Sequence, residues 1–319
     1  MENRLSMSQN RSEKLKLRAK KLLIRIWKAR MLYLLLLPTL IYFFIFRYYP
    51  YWGLTMAFKD FKPGLGIEGS PWVGFENFEK LVTLPAFGRV LGNTVIISVA
   101  RLVFGMPIPI IFALLLNEVR HLFYKRIVQT VTYFPHFLSW VIYGGIMLML
   151  LSPSGVVPQI LEALTNERWN RLLADTRYFR TIIIATGILK EFGWSAILYL
   201  AAMTAIDPTL YDAARVDGAN RWQQIRHITI PGIMGVITIV LILNVGHILD
   251  AGFGQIFVME NPSVYSVVDI IDTYIYRIGL VDGEFSRATA LGLFKGVFGF
   301  ILIVSSNQII KRMGRPTIW

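Results

Sequence analysis

Two groups of residues in this chain have types and spacings that could do chemistry. The first is a polar island, Asp207 to Pro231, reading DPTLYDAARVDGANRWQQIRHITIP between two long apolar segments. Asp207 can accept a hydrogen bond as a helix N-cap, and Pro208 suits the first helical position, where a missing N–H costs nothing. Gly218 can end the helix in a left-handed turn, and a second short helix can follow from Asn220. Leu210, Tyr211 and Ala214 then share one face, while Asp212, Arg215 and Asp217 point elsewhere or sit near the ends. The chemistry of such a stub is recognition: it fits a partner's groove. A plain hairpin between two membrane helices, with Gly and Pro marking its ends, is the alternative.

The second group consists of polar residues inside apolar runs: Arg101, Lys190, Glu191 and Lys295, with Asn244 and His247 one turn apart. Charges at membrane depth are costly unless they face protein, water or each other, so these residues either line a translocation route or pair between helices. Lys190 and Glu191 are neighbours on one helix and do not face each other, so other partners are expected for both. Asn244 and His247 could contact a hydroxylated ligand or bond across helices.

Positioning these groups takes membrane helices. The chain has 319 residues, 55% hydrophobic and 17% charged, with mean hydropathy +0.52, too apolar for an ordinary soluble protein. About six spans are expected, over residues 31–46, 91–116, 133–151, 181–203, 232–249 and 288–310. Pro107 and Pro109 should kink the second. Gly292 and Gly296 stand in a GxxxG spacing that favours close helix approach in the sixth. Residues 1–30 carry ten Lys and Arg against Glu2 and Glu13, so they read as a basic amphipathic cytoplasmic segment lying on anionic membrane lipid. With Lys311, Arg312 and Arg315 at the other end, both termini are expected in the cytoplasm, and residues 207–231 with them. Residues 250–284 form an acidic outer loop, suited to docking an external partner or simply solvated.

Several functions are disfavoured. The net charge of +13 lies largely beside the first span, which favours lipid over nucleic acid. There is no Cys, no G-x-x-x-x-G-K-[ST] phosphate loop, and the four His residues show no metal-ligand spacing. No cofactor and no metal are therefore expected on this chain, nor catalysis by it. An ion-coupled secondary transporter remains the rival, since Lys190, Glu191 and Lys295 could serve proton coupling.

The run Asp212-Ala213-Ala214, then Gly218, then Ile228-Thr229-Ile230-Pro231 resembles the EAA loop of binding-protein-dependent ABC importer permeases, with Asp212 where the consensus has Glu and Ile230 where it has Leu. Trp72-Val73-Gly74-Phe75-Glu76-Asn77-Phe78 resembles the first outer loop of the sugar importers. Lys190-Glu191-Phe192-Gly193-Trp194, Tyr199-Leu200-Ala201-Ala202 and Ala290-Leu291-Gly292-Leu293-Phe294-Lys295 resemble the oligosaccharide branch. The resemblance implies an all-α membrane protein of the type I ABC importer permease fold, multi-pass in a bacterial plasma membrane, with residues 31–319 forming the transmembrane domain. It also implies a second permease subunit, two cytoplasmic ATPase subunits that bind ATP and Mg, an external solute-binding protein and an oligosaccharide substrate. Acidic saccharides such as alginate or a pectin fragment would suit Arg101, Lys190 and Lys295. By the same resemblance, Leu210, Tyr211, Asp212, Ala213, Ala214, Asp217, Gly218 and Pro231 would couple the chain to the ATPase.

Overall fold

The computed structural model describes residues 27–312 together with Lys20 and Gly314. Most of the basic segment expected over residues 1–30 lies outside the described residues, as does Arg315. Contacts divide the chain into two units, Met1–Thr55 and Met56–Trp319. In the first, helix α1 (Arg30–Phe43) runs into a π turn at Phe44–Tyr48, and its side chains are apolar on every side. A helix of that kind is at home in lipid.

Among the described residues, six helical stretches are long and apolar enough to cross a membrane: Arg30–Phe58, Pro85–Glu118, Trp140–Thr165, Thr176–Thr204, Arg221–Gly246 and Phe285–Arg312. The number agrees with the sequence, and several boundaries do not. After the short α2 (Glu76–Thr83), the second stretch is two helices, α3 (Pro85–Gly105) and α4 (Pro107–Glu118), parted at Met106. Pro107 starts α4 at the position where its missing donor is harmless, so the expected kink is a restart.

The third span departs most from expectation. Residues 133–151 are not one helix: α5 (Leu122–Phe137) stops at Leu138, Ser139 accepts from the Ile142 amide at 3.3 Å as N-cap of α6 (Trp140–Leu151), and α7 (Val156–Thr165) follows a tight turn. A hydroxyl that competes for backbone donors outweighs the apolar run there.

Helix α8 (Thr176–Thr204) begins earlier than expected because Asp175 caps it, accepting from the Arg177 amide at 2.9 Å. It is the axis of the second unit. Phe179, Ile183, Thr186, Lys190, Gly193, Ala196 and Tyr199 recur on it at three- to four-residue spacing and are all buried. They pack it against α3, α4, α5 and α10 (Ile230–Gly246), and α10 in turn lies on α13 (Phe285–Arg312). One apolar core joins Ile97, Phe179, Ile183, Ile256 and Ile270; a second, nearer the polar island, joins Ala113, Ala196, Tyr199, Met203 and Ile233.

Between α10 and α13 the chain folds back into α11 (Phe253–Met259) and α12 (Ile271–Tyr276). The acidic stretch 250–284 is therefore no bare loop, and much of its charge is turned inward. Asp269 is fully buried in an ion pair with Arg277, and Asp250 and Asp272 both hold Lys295. The expected close approach at Gly292 and Gly296 is also displaced. Among the described residues a Cβ at Gly296 would meet nothing within 4 Å, whereas Gly246 of α10 sits against Ile303 of α13 so tightly that a Cβ there would overlap it.

Candidate functional site

The polar island forms a capped stub. Helix α9 (Pro208–Val216) starts at Asp207, whose carboxylate accepts from the Thr209 amide at 2.9 Å. That bond holds the Asp207 carboxyl below its ordinary pKa. At the other end the Ala219 amide donates to the Ala214 carbonyl at 2.8 Å and the Gly218 amide to that of Arg215 at 3.1 Å, with Gly218 at φ +77°. This is a Schellman closure, and a side chain at residue 218 would strain it. Asn220 and Gln223 exchange side-chain-to-backbone bonds at 2.7 and 2.9 Å and start the next turn, which runs through a π turn at Ile225–Thr229 into Pro231 and α10.

The predicted residues of this stub split between two faces. Tyr211 is half-buried and its hydroxyl meets Thr229 Oγ1 at 2.9 Å, and Ala214 is half-buried beside it. Tyr211 thus braces α9 against the chain's own next element instead of standing free as an anchor. Asp212 pairs with Arg215 along the exposed side, and Ala213, Asp217, Gly218 and Pro231 are exposed. Leu210 is 51% exposed and Val216, which the sequence reading missed, 88%. The three-residue spacing of Leu210, Ala213 and Val216 was the available signal, since it marks a face opposite to the Tyr211–Ala214 stripe. Arg221 reaches Glu118 at 3.6 Å, so the stub is tied to the end of α4.

A second site opens inside the helices. A cavity of about 290 Å³ lies among α3, α4, α8 and α10, and its wall includes Arg101, Glu191, Asn244 and His247. Four of the six polar residues picked from the apolar runs thus share one space. Lys190 and Lys295 do not line it. Lys190 is 3% exposed; its ammonium donates to the His136 carbonyl at 2.8 Å and lies 5.0 Å over the Trp140 ring. Lys295 is held by Asp250 and by both oxygens of Asp272, at 2.7 and 2.8 Å. The expectation that Lys190 and Glu191 do not meet needs correction. Their long side chains bend to 3.4 Å, although each also has a partner elsewhere: Glu191 takes His136 Nδ1 at 2.6 Å.

Three polar residues central to this region were missed. His136 stacks on Trp194 at 4.5 Å while holding Glu191. Asp250 lines the cavity and accepts from His247 at 3.0 Å and from Lys295; burial alone would raise its carboxyl, but these bonds outweigh it and leave its pKa below the ordinary value. Gln255, buried in α11, receives Arg101 and donates to Ile183 O at 2.9 Å and Thr186 Oγ1 at 2.7 Å. The His247–Asp250 spacing was a readable hint; nothing local marked Gln255.

Six membrane-length stretches among the described residues, a cavity with polar groups in its wall among the helices of the second unit and an exposed capped stub between two of those helices are the features of a membrane permease. Residues 105–315 match the model of the binding-protein-dependent transport system inner membrane component, and the chain belongs to that family. It is thus a permease subunit of an ABC importer. It is 44% identical to the polygalacturonan/rhamnogalacturonan transport system permease protein YteP of Bacillus subtilis (strain 168), over 94% of each chain. It is 45% identical to protein LplB of the same organism, over 92% of each. Among solved structures, it superposes with a TM-score of 0.85 and 42% identity on a chain of a bacterial ABC transporter involved in the import of the acidic polysaccharide alginate, covering 92% of this chain and 99% of that one. The family favours the ATP-driven reading over the ion-coupled alternative.

Proposed function

We propose that this chain is the membrane-spanning subunit of an ATP-driven importer for an oligosaccharide or polysaccharide fragment bearing uronate carboxylates, of the alginate or pectin kind, delivered by an external solute-binding protein. The observation that carries this reading is the 44% identity, over 94% of both chains, to a permease named for polygalacturonan and rhamnogalacturonan transport. A second solved structure, of a bacterial alginate ABC transporter with an alginate pentasaccharide-bound periplasmic protein, is 40% identical and supports delivery by such a protein here.

In this reading the chain sits in the bacterial plasma membrane beside a second permease subunit, with both termini and residues 207–231 in the cytoplasm. Two ATPase subunits bind ATP and Mg, while this chain binds no cofactor and catalyses nothing. Helix α9 enters a groove of one ATPase with Leu210, Ala213 and Val216 facing it, and Asp212, Ala214, Asp217, Gly218 and Pro231 hold the stub in shape. An ATPase that grips α9 differently in its two nucleotide states biases the permease between inward- and outward-open forms; without differential grip no such bias exists. The cavity at Arg101, Glu191, Asn244 and His247 is the path.

The test is uptake of trigalacturonate by the complete transporter in proteoliposomes. Gly218→Pro cannot adopt φ +77°, and Asp212→Arg sets two like charges against each other on α9. Each variant should lose uptake by roughly tenfold or more while ATP hydrolysis persists. Undiminished uptake by both would overturn the role of the stub.

A further inference from the structure

The cations that the sequence placed at membrane depth are not equivalent once their partners are known. Lys295 is neutralised by two carboxylates, and Lys190 is shared between Glu191, the His136 carbonyl and an aromatic face. His247 in the cavity wall faces Asp250. The two carboxylates of the wall, Glu191 and Asp250, are thereby both engaged by cations or by a His. Among the described residues of that wall, Arg101 alone carries a fixed positive charge with no carboxylate at ion-pair distance.

Its seat is built from neutral groups. One guanidinium nitrogen, Nη2, donates to Gln255 Oε1. The Gln255 amide nitrogen is committed to Ile183 O and Thr186 Oγ1 on α8, so its oxygen has to face Arg101. Two glycines make the room. A Cβ on Gly252, which sits at φ +90°, would overlap the guanidinium, and one on Gly187 would crowd both Gln255 and Nη2. Among the described residues the buried Arg101 Nε–H has no acceptor, so the donors of the guanidinium are not exhausted. Glu191 is near enough to act on the guanidinium electrostatically but is itself engaged by His136 and Lys190, so a rigidly held guanidinium with no carboxylate at bonding distance is costly unless a transient anion adds to the balance. Carboxylate is the anion that its planar fork matches best.

We propose that Arg101, positioned by Gln255, is the carboxylate-recognition group of the cavity and binds one uronate carboxylate of the passing saccharide. The proposal rests on the reading of the cargo as a uronate-bearing saccharide. It makes charge discrimination a property of one residue, and it removes Lys190 and Lys295 from that role.

The experiment compares trigalacturonate with its methyl ester as cargo in the complete transporter, using one and the same binding protein throughout. Dividing each variant's uptake by that of the wild type for each cargo cancels the binding protein's own preference. Arg101→Gln should depress uptake of the acid roughly tenfold to a hundredfold more than uptake of the ester, the size expected for one charge-assisted contact. Arg101→Lys should fall between, because it keeps the charge and loses the fork. Gln255→Glu, which puts a carboxylate on the guanidinium, should reproduce the loss with Arg101 still in place, and it decides the matter if Arg101→Gln fails to assemble with the other subunits. Equal depression of acid and ester in Arg101→Gln, or full retention of acid preference in Gln255→Glu, would overturn the proposal. If the wild-type transporter moves neither cargo, it is the saccharide reading itself that fails.

Discussion

Lys295 shows how a single residue can change meaning between sequence and structure. In sequence it is a lysine inside an apolar run, and in the fold it is the clamp between α13, the turn at Asp250 and α12. Replacing it by Met leaves Asp272 without its ion-pair partner and Asp250 with His247 alone. The expected cost is about 2 kcal/mol, less than the full value for a buried pair because Asp250 is half exposed. A lowered midpoint in thermal unfolding of the detergent-solubilised protein checks it, and a second change, Asp272→Asn, should restore part of the loss. Glu260, at the end of α11, makes a pH prediction. Burial, assisted by the nearby Asp269 charge and opposed by Arg277, raises its carboxyl from 4.5 to about 7, and its Oε2 has no hydrogen-bond partner. The unfolded chain releases this proton first, so the stability that Glu260 contributes is complete below about pH 4.5 and is lost as pH rises through 7. Thermal unfolding at pH 5.5 and pH 8 should therefore show a fall in midpoint that Glu260→Gln diminishes. An unchanged fall would refute the assignment.

Among the elements, α9 was the most legible and α5–α6 the least. The ends of α9 are written in local chemistry, an Asp-Pro start and a Gly stop, and both ends fold as that chemistry requires. What the local pattern could not tell was which side of α9 the rest of the chain would cover. Tyr211 is turned inward by Thr229, which lies in a π turn that no periodicity announces, and this leaves Leu210 and Val216 outward. The outward face leads to a further expectation. Val216→Asp should weaken recovery of the ATPase subunit with the purified permease by roughly tenfold, as loss of an apolar anchor at an interface does, with no fall in the permease's own melting temperature. The third span was misplaced because an apolar run says nothing of where a helix restarts, and Ser139 restarts it in mid-run. The acidic stretch 250–284, read as an outer loop for docking or solvation, was only partly legible for a related reason: the partners of Asp250, Asp269 and Asp272, namely Lys295 on α13 and Arg277 beyond α12, become visible only when the helices are packed.

At the scale of the whole molecule, hydropathy and punctuation sufficed for the number of spans, because a backbone in lipid has to satisfy its own hydrogen bonds and few architectures do so. The interior was legible only as a set of misplaced charges. Arg101, Glu191, Asn244 and His247 could be picked out by their cost, but that they share one cavity, and that Lys190 and Lys295 do not, depends on contacts between residues far apart in the chain. Helices α8 and α10 pack on each other and both contribute to the cavity wall, and the stub lies between them in the chain, so the proposed function treats stub and cavity as one device. The measurement that tests this most directly is uptake of trigalacturonate into proteoliposomes holding the assembled transporter, with ATP and the proton gradient varied independently. The account predicts uptake that requires ATP and the solute-binding protein and survives a protonophore. Uptake that persists without ATP and collapses when the proton gradient is dissipated would contradict it.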